Sequence, residues 1–406
     1  MEAVQVGARV RYWRLRRGLN RSQFAARVGR SVSWLEKVES GDRALLRLPM
    51  LERVAEALGI TVGALTDPTE AQQAVQRPDA AEVAAIRGAL GRYEVILGAR
   101  IETDRAPQIE NVAKQVDYLN SAFLASNFAS IGRHLPRLVV ESQRVVDAAE
   151  TRTQLVQATR LLVQTYRVAS STLLKFNADD TAWLAADRAI AAARNSQDTY
   201  CLARATRSVA RAMMSLGQTT DALDALLSMV RRMQPDVHRL PDGETAMYGM
   251  LLLAAEIAAA ELGDASTADA MHDKAATVAT TRFSGNHDSA TAFGATNVSL
   301  HRVSAFVRLG RCGDAIDYAN RIDRGAVERM PRERRSVLLL DLAAAHHQIG
   351  NYDQAVAALL DADHVSAEEV RCRPTSQALI NSLINQPGRI PGSRLRRLAQ
   401  HAGVTA

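Results

Sequence analysis

Four times in the second half of this sequence an aliphatic residue and a glycine are followed, five residues after the glycine, by an alanine. The copies are Leu216-Gly217 with Ala222, Leu262-Gly263 with Ala268, Leu309-Gly310 with Ala315, and Ile349-Gly350 with Ala355; the glycines are 46, 47 and 40 residues apart. Each glycine stands where one amphipathic pattern ends and another begins. Glycine accepts the left-handed residue that closes a helix, and a small alanine in the next helix lets the two pack closely. Four copies at near-regular spacing make a repeat, and a chain built this way folds as stacked helix pairs. From Ile109 onward the Ala, Leu, Arg and Gln content favours helix, and no period-2 segment appears. The predicted fold class is therefore all-α. Ahead of the repeat, helices are expected around Tyr118–Leu124, Leu135–Val146, Leu155–Leu174 and Thr181–Ala193, with a shorter one near Pro78–Leu90.

The chain has 406 residues, beyond the ~250–300 at which one core stops growing, so more than one unit is expected. Its net charge is +6, and only Lys37, Lys114, Lys175 and Lys274 are lysines. The abundance of arginine by itself says nothing about nucleic acid; its position does. Residues 1–68 carry twelve basic and seven acidic side chains, leaving a net of only +1 for the other 338 residues. A basic excess at one end is what a small polyanion-binding unit requires. Cys201, Cys312 and Cys372 are scattered without CxxC or Cys/His spacing, which argues against a disulfide framework or zinc site. No phosphate loop, zinc-protease motif or nucleophile elbow is present, so no enzymatic activity, cofactor or metal is expected. No apolar signal segment follows Met1, and the most apolar run, Met250–Leu262, is interrupted by Glu256 and too short to span a bilayer. The expected location is the cytoplasm.

Within residues 21–40 the spacing is that of two helices joined by a tight turn. Ala25 must be small where the second helix crosses the first, Gly29 serves the turn, and Leu35 and Val38 anchor the second helix. Asn20 with Gln23 reads as an N-cap and capping-box pair. Val6, Val10 and Trp13 form a helical stripe before this motif; Leu51, Val54, Ala55 and Leu58 form another after it, stopped by Gly59.

The full run, from Gly7 and Arg14 through Gly18-Leu19-Asn20, Phe24-Ala25, Gly29, Leu35 to Gly41 and Leu58-Gly59, resembles the XRE/Cro family of DNA-binding domains over residues 4–66. Gly350-Asn351-Tyr352-Asp353-Gln354-Ala355 is similar to the inter-helix segment of a tetratricopeptide repeat (TPR), with a period longer than the usual ~34 residues. Together they imply a five-helix, lambda-repressor-like unit over residues 1–68, a connector with a short helix over 69–108, and a TPR-like α-solenoid of helix pairs over 109–406. The XRE resemblance implies a recognition helix starting at Ser31, with Ser31, Val32 and Ser33 facing base edges and Arg30, Trp34 and Lys37 flanking them. Trp34 reads equally well as a partly buried packing residue. Arg21, Gln23 and the Asn20 helix terminus, with Arg43 and Arg47, are implied phosphate contacts. Arg14 and Glu39 correspond to an internal ion pair, Glu36 is expected to point aside, and Arg9, Arg11, Arg16, Arg17 and Arg27 read as a solvated face.

An XRE unit fused to a TPR-like array resembles peptide- or metabolite-responsive bacterial regulators, and Phe293–Arg302 is similar to actinobacterial members. The implied partners are a double-stranded DNA operator, a second copy of the chain, and a small-molecule or peptide effector. Asn297, His301 and Arg302 share one helical neighbourhood and are candidates for lining an effector pocket, or else an inter-helix polar network. Trp183 reads as a core plug, and the adjacent His346 and His347 diverge too far to hold one metal. A second reading makes the array a scaffold for a partner protein.

Overall fold

The structure is a computed structural model that describes residues 3–17, 19–68, 70, 80–92, 107–234, 239–283, 286–387, 391–402 and 404. Gly18, Pro78, Gly98 and most of the 69–108 connector lie outside the described residues. The described residues form helices and turns with no strand.

The N-terminal unit has the five expected helices: α1 (Ala3–Arg16), α2 (Arg21–Val28), α3 (Val32–Ser40), α4 (Leu48–Leu58) and α5 (Gly63–Thr66). Their shared core is the predicted stripes, Val6, Val10 and Trp13 against Phe24, Leu35, Val38, Leu51, Val54 and Leu58. α6 (Ala80–Leu90) packs elsewhere. Its Ile86, Ala89 and Leu90 are buried in the first core of the helical array.

The array begins with the pairs α7 (Ile109–Leu124) with α8 (Phe128–Asp147), α9 (Arg152–Lys175) with α10 (Asp179–Ser196), and α11 (Thr199–Ser215) with α12 (Thr219–Met233). It continues with α13 (Asp242–Glu261) and α14 (Ala265–Arg282), α15 (Ala295–Arg308) and α16 (Cys312–Ala319), a short α17 (Arg324–Glu328), then α18 (Arg332–Gln348) and α19 (Tyr352–Val365). Three helices end it: α20 (Ala367–Cys372), α21 (Pro374–Ile384) and α22 (Ser393–Ala402). The early helices are longer than the sequence indicated, and α8 runs through Pro136 rather than starting beside it.

The repeat has the geometry its residues require. Gly217, Gly263, Gly310 and Gly350 have φ of 78°, 78°, 72° and 80°, and Ala222, Ala268, Ala315 and Ala355 are fully buried. The two earlier pairs turn in the same way without glycine, at Ser126 (φ 59°) and Asn177 (φ 57°), and Asn177 is again followed five residues on by a buried alanine, Ala182. Asparagine tolerates the left-handed region, so this fifth copy was disguised by one substitution. The apolar Met250–Leu262 run belongs to α13, a central helix covered on nearly all sides, as a helix apolar all round must be. Among the described residues no helix is long and apolar enough to cross a membrane. Trp183 is half-buried and plugs no core.

The stack curls until its ends meet. Lys175 at the end of α9 is buried between Glu333 of α18, at 2.9 Å, and Glu369 of α20, while Ser126 Oγ donates to Glu369 at 3.2 Å and the Phe128 amide donates to Glu368 at 2.7 Å. Asn120 of α7 donates to the Ala290 carbonyl at 3.3 Å. The first two pairs are thus tied to α18 and α20 across the interior.

Neighbouring glycines should respond with opposite signs. Gly310→Ala forces a Cβ into the left-handed region and is expected to cost about 1–2 kcal/mol. Gly313→Ala, inside α16 with open space around its Cα, should gain about 0.5–1 kcal/mol. Thermal unfolding of the full chain reads both; equal shifts would contradict the turn geometry.

Candidate nucleic-acid interface and internal cavity

The helix pair of the N-terminal unit is fixed by its caps. At the head of α2 the Gln23 amide donates to Asn20 Oδ1 at 2.8 Å, and the Asn20 amide donates to Gln23 Oε1 at 3.0 Å, completing the capping box. Gly29 turns the chain with φ 68°, and the Arg30 amide returns to the Ala25 carbonyl at 2.9 Å. Ser31 then caps α3, accepting the Trp34 amide at 3.1 Å, so the helix itself begins at Val32. Gly7 lets α1 press on α3: a Cβ there would lie 2.0 Å from the Val38 carbonyl oxygen.

This geometry exposes Ser31, Val32, Ser33 and Lys37 on the outer face of α3, with Val32 39% exposed although it is aliphatic. Arg30, Ser31, Trp34 and Arg43 line one shallow depression of about 590 Å³, and the Arg30 guanidinium lies 5.9 Å from the centre of the half-buried Trp34 ring. Gln23 and Arg47 are exposed at the starts of α2 and α4.

Arg14 spans both carboxylate oxygens of Glu39, with Nη2 to Oε2 at 3.1 Å, and donates to the Leu19 carbonyl at 2.7 Å. Arg21 is the member of the interface set with a different arrangement. Its Nε lies 3.1 Å from Glu39 and its Nη1 3.3 Å from Glu36, so Glu36 does turn aside, and it does so onto the cation expected at phosphate. Arg9 and Arg17 depart from the solvated-face reading: Arg9 donates to the Leu65 carbonyl at 2.8 Å and Arg17 to the Leu58 carbonyl at 2.7 Å, binding α1 to the far helices. Arg11 and Arg27 are exposed, and the Arg16 side chain lies outside the described residues.

The inner face of the array forms a half-open cavity of about 450 Å³, lined mainly by the first helix of each pair. Asn297 and His301 of α15 line it, Asn297 with no exposed surface and His301 with Nδ1 2.9 Å from the Asn297 carbonyl. Arg302 points elsewhere, pairing with Asp269 and lying 3.7 Å from the buried Glu256, whose other partner is His272 at 3.1 Å. That cluster is an inter-helix polar network, whereas Asn297 and His301 face the cavity. His347 bonds Ser382 at 2.8 Å.

Sequence reasoning missed most of the lining cations: Lys175, Arg207, Arg211, Arg334 and Arg373. The available signal was Arg204, Arg207 and Arg211 at i, i+3 and i+7, one face of α11. Burial pushes Arg167 down to about 9 and Arg211 to about 10, with neighbouring arginines adding repulsion, and Arg207 lies well below its ordinary value for the same reasons. An arginine keeps its proton at neutral pH, so these groups stay charged while burial strips them of water and Glu333 offsets only part of the cost. Burial, followed by the charge of Arg334, lowers His301 to about 3 and keeps it neutral.

Residues 5–68 match the family described as "Helix-turn-helix domain". The N-terminal unit is a helix-turn-helix domain. Residues 160–216 and 313–371 match the family "Anaphase-promoting complex subunit 5", and these segments fall on helix pairs of the TPR-like array. No curated protein matches the chain. Among solved structures, the chain is similar to Bacillus thuringiensis PlcR in complex with the peptide PapR7 and DNA, at 13% identity over 86% of this chain and 98% of that one, with a TM-score of 0.33. It is also similar to aspartyl phosphate phosphatase F from Bacillus subtilis (12% identity, 93% and 96% covered, TM-score 0.42) and to apo ComR from Streptococcus vestibularis (14%, 69% and 93%, 0.17).

The buried Glu39 sets a pH limit on this domain. Burial raises its carboxyl, but the hydrogen bonds and charges of Arg14 and Arg21 outweigh burial and hold it below the ordinary carboxylate value. Its stabilisation is therefore complete above about pH 4.5 and is lost as pH falls through the lower folded value. Glu39→Gln strands Arg14 and should cost the domain about 3–5 kcal/mol at pH 7 while flattening its acid limb. Urea unfolding of the full chain followed by tryptophan emission tests this, since Trp13 and Trp34 report the domain.

Proposed function

We propose that this chain is a sequence-specific transcriptional regulator that reads an operator as a homodimer and responds to an effector, small molecule or peptide, held in the internal cavity. The observation that carries the DNA reading is the capped start of α3, which presents Ser31, Val32 and Ser33 outward from a rigid two-helix frame. Serine hydroxyls can donate or accept at base edges, and Val32 suits a thymine methyl. Arg30, Lys37, Arg43 and Arg47 supply the surrounding positive charge, and Gln23 borders the α2 terminus where backbone donors face phosphate. Arg21 joins them only by releasing Glu36. With few bidentate base readers, part of the selectivity rests on DNA shape. Two such domains in a dimer would occupy half-sites about 34–36 Å apart.

The sensing reading is supported by a half-open cavity with both charged and apolar walls, of a size that suits a small molecule or a short peptide. α6 supplies a route between the units: Glu82 lies 3.9 Å from Arg17 of the helix-turn-helix domain, and Arg87 donates to Thr181 of the array at 2.9 Å. An effector acts only through a difference in affinity between two arrangements of these units. The scaffold alternative keeps one supporting observation. Leu216, Leu262 and Ile349, each immediately before a repeat glycine, are 42%, 44% and 47% exposed.

Replacing Ser31, Val32 and Ser33 together by alanine should abolish preference for the selected operator in fluorescence anisotropy while leaving salt-sensitive nonspecific binding. Unchanged preference would overturn the placement of the recognition helix. Arg43→Ala should weaken all sequences alike and reduce the salt slope by about 1. Sedimentation of the full chain with operator should give two chains per site; one chain per site removes the dimer. A small-molecule fraction of cell extract should shift operator affinity, whereas a shift confined to the protein fraction favours the scaffold.

A further inference from the structure

We propose that the internal cavity binds a small amphipathic anion, with its carboxylate or phosphate group on Arg207, Arg211 and Arg334 and its apolar part against α13. As a ligand class this deepens the sensing reading, on which only its role as effector rests.

Six cations line the cavity against three carboxylates, Asp179, Glu261 and Glu333, and the acids nearest the cations are already committed. Glu333 serves Lys175 at 2.9 Å, Arg334 at 3.0 Å and Arg373 at 3.5 Å, and Glu369 serves Lys175 and Arg373, the latter at 2.6 Å. Asp341, pushed up by burial, holds Ser304 and stands 4.0 Å from Arg308. Opposite this cluster the arginines have no such partners. Among the described residues no carboxylate lies within 4 Å of Arg167, Arg204, Arg207 or Arg211. Arg167 reaches only the Asn120 side chain, Arg204 the Tyr200 hydroxyl, and Arg211 the Ser171 hydroxyl at 3.4 Å. The Nε atoms of Arg167, Arg204 and Arg207 are buried with no hydrogen-bond partner, and so is Oδ1 of the fully buried Asn297.

Arg207 and Arg211 face the cavity without a carboxylate within 4 Å, and Arg167 and Arg204 stand beside them in an adjoining crevice, so like charges repel one another and are partly stripped of water. Planar guanidinium donors aimed at one space are the usual receptor for carboxylate or phosphate. Burial keeps His301 neutral, so it adds a hydrogen-bonding group but no further positive charge. The wall formed by Leu253, Ala254 and Ile257 is apolar, so a ligand that fills about 450 Å³ meets both surfaces.

The test uses the full chain at constant ionic strength, balanced with sodium chloride. Citrate, inorganic pyrophosphate and octanoate are compared with the neutral octanol by thermal shift and isothermal titration calorimetry. At least one anion should raise Tm saturably by about 2 °C or more. Octanoate as the best probe identifies a carboxylate with an apolar tail, and pyrophosphate as the best a phosphate group. In Arg207→Gln and Arg211→Gln the shift should vanish, while Tm without ligand rises because repulsion is relieved. The inference is overturned if no anion exceeds the chloride control, if the shift survives in both variants, or if both variants lower the ligand-free Tm. Operator binding separates the two readings. An anion that binds through Arg207 yet leaves operator affinity unchanged preserves the site and removes the sensing role. Operator affinity that answers only to octanol removes the anion and preserves sensing.

Discussion

The array depends on one buried ammonium. Lys175 ends the third helix of the array, and its two carboxylates arrive from Glu333 and Glu369, 158 and 194 residues further along the chain. A stack of helix pairs has no reason of its own to close, because each pair touches only its neighbours. Lys175 supplies that reason: buried unpaired it would be untenable, and it is satisfied only when the last helices return to the first. The Ser126 and Phe128 contacts to the α20 acids reinforce the same closure. Closure turns the inner surface of a solenoid from an open groove into the wall of a half-open cavity.

That conversion changes the meaning of the residues on the inner helices. On an open stack, Arg204, Arg207 and Arg211 would be an ordinary hydrated stripe. Inside a curled one Arg204 is buried and Arg207 and Arg211 are half-buried, with hydroxyl partners or none. Asn297 and His301 belong to this interior, whereas Arg302, their neighbour in sequence, turns to Asp269 and Glu256 in the packing between helices. One residue step on a helix rotates a side chain by about 100°, enough to separate a cavity wall from a packing contact.

The helix-turn-helix domain follows a different economy, since nearly all its determinants are local. The capping box at Asn20 and Gln23, the turn at Gly29 and the Ser31 cap each involve residues within five positions, and each could be anticipated from spacing. Its one essential long-range element, Arg14 with Glu39, was legible only through the family pattern. The departures are also electrostatic. Arg9 and Arg17 bond distant carbonyls and Arg21 is shared by Glu36 and Glu39, because arginine reaches whatever acceptor the tertiary fold brings near.

The sequence by itself determined the helical class, the paired helices around Gly29 and the glycine-alanine turns, because these rest on φ preferences, caps and a 3.6-residue period that act within a few residues. The five-helix count and the outward face of α3 were legible only through the family pattern. It concealed the Asn177 copy of the turn, where a second residue type tolerates the same backbone. Only the tertiary structure decided that the stack closes, that Lys175 is its clasp and that the arginines of α11 face a cavity. Those outcomes depend on charges far apart in the chain meeting across the inside of the curled stack, and no local pattern encodes that meeting.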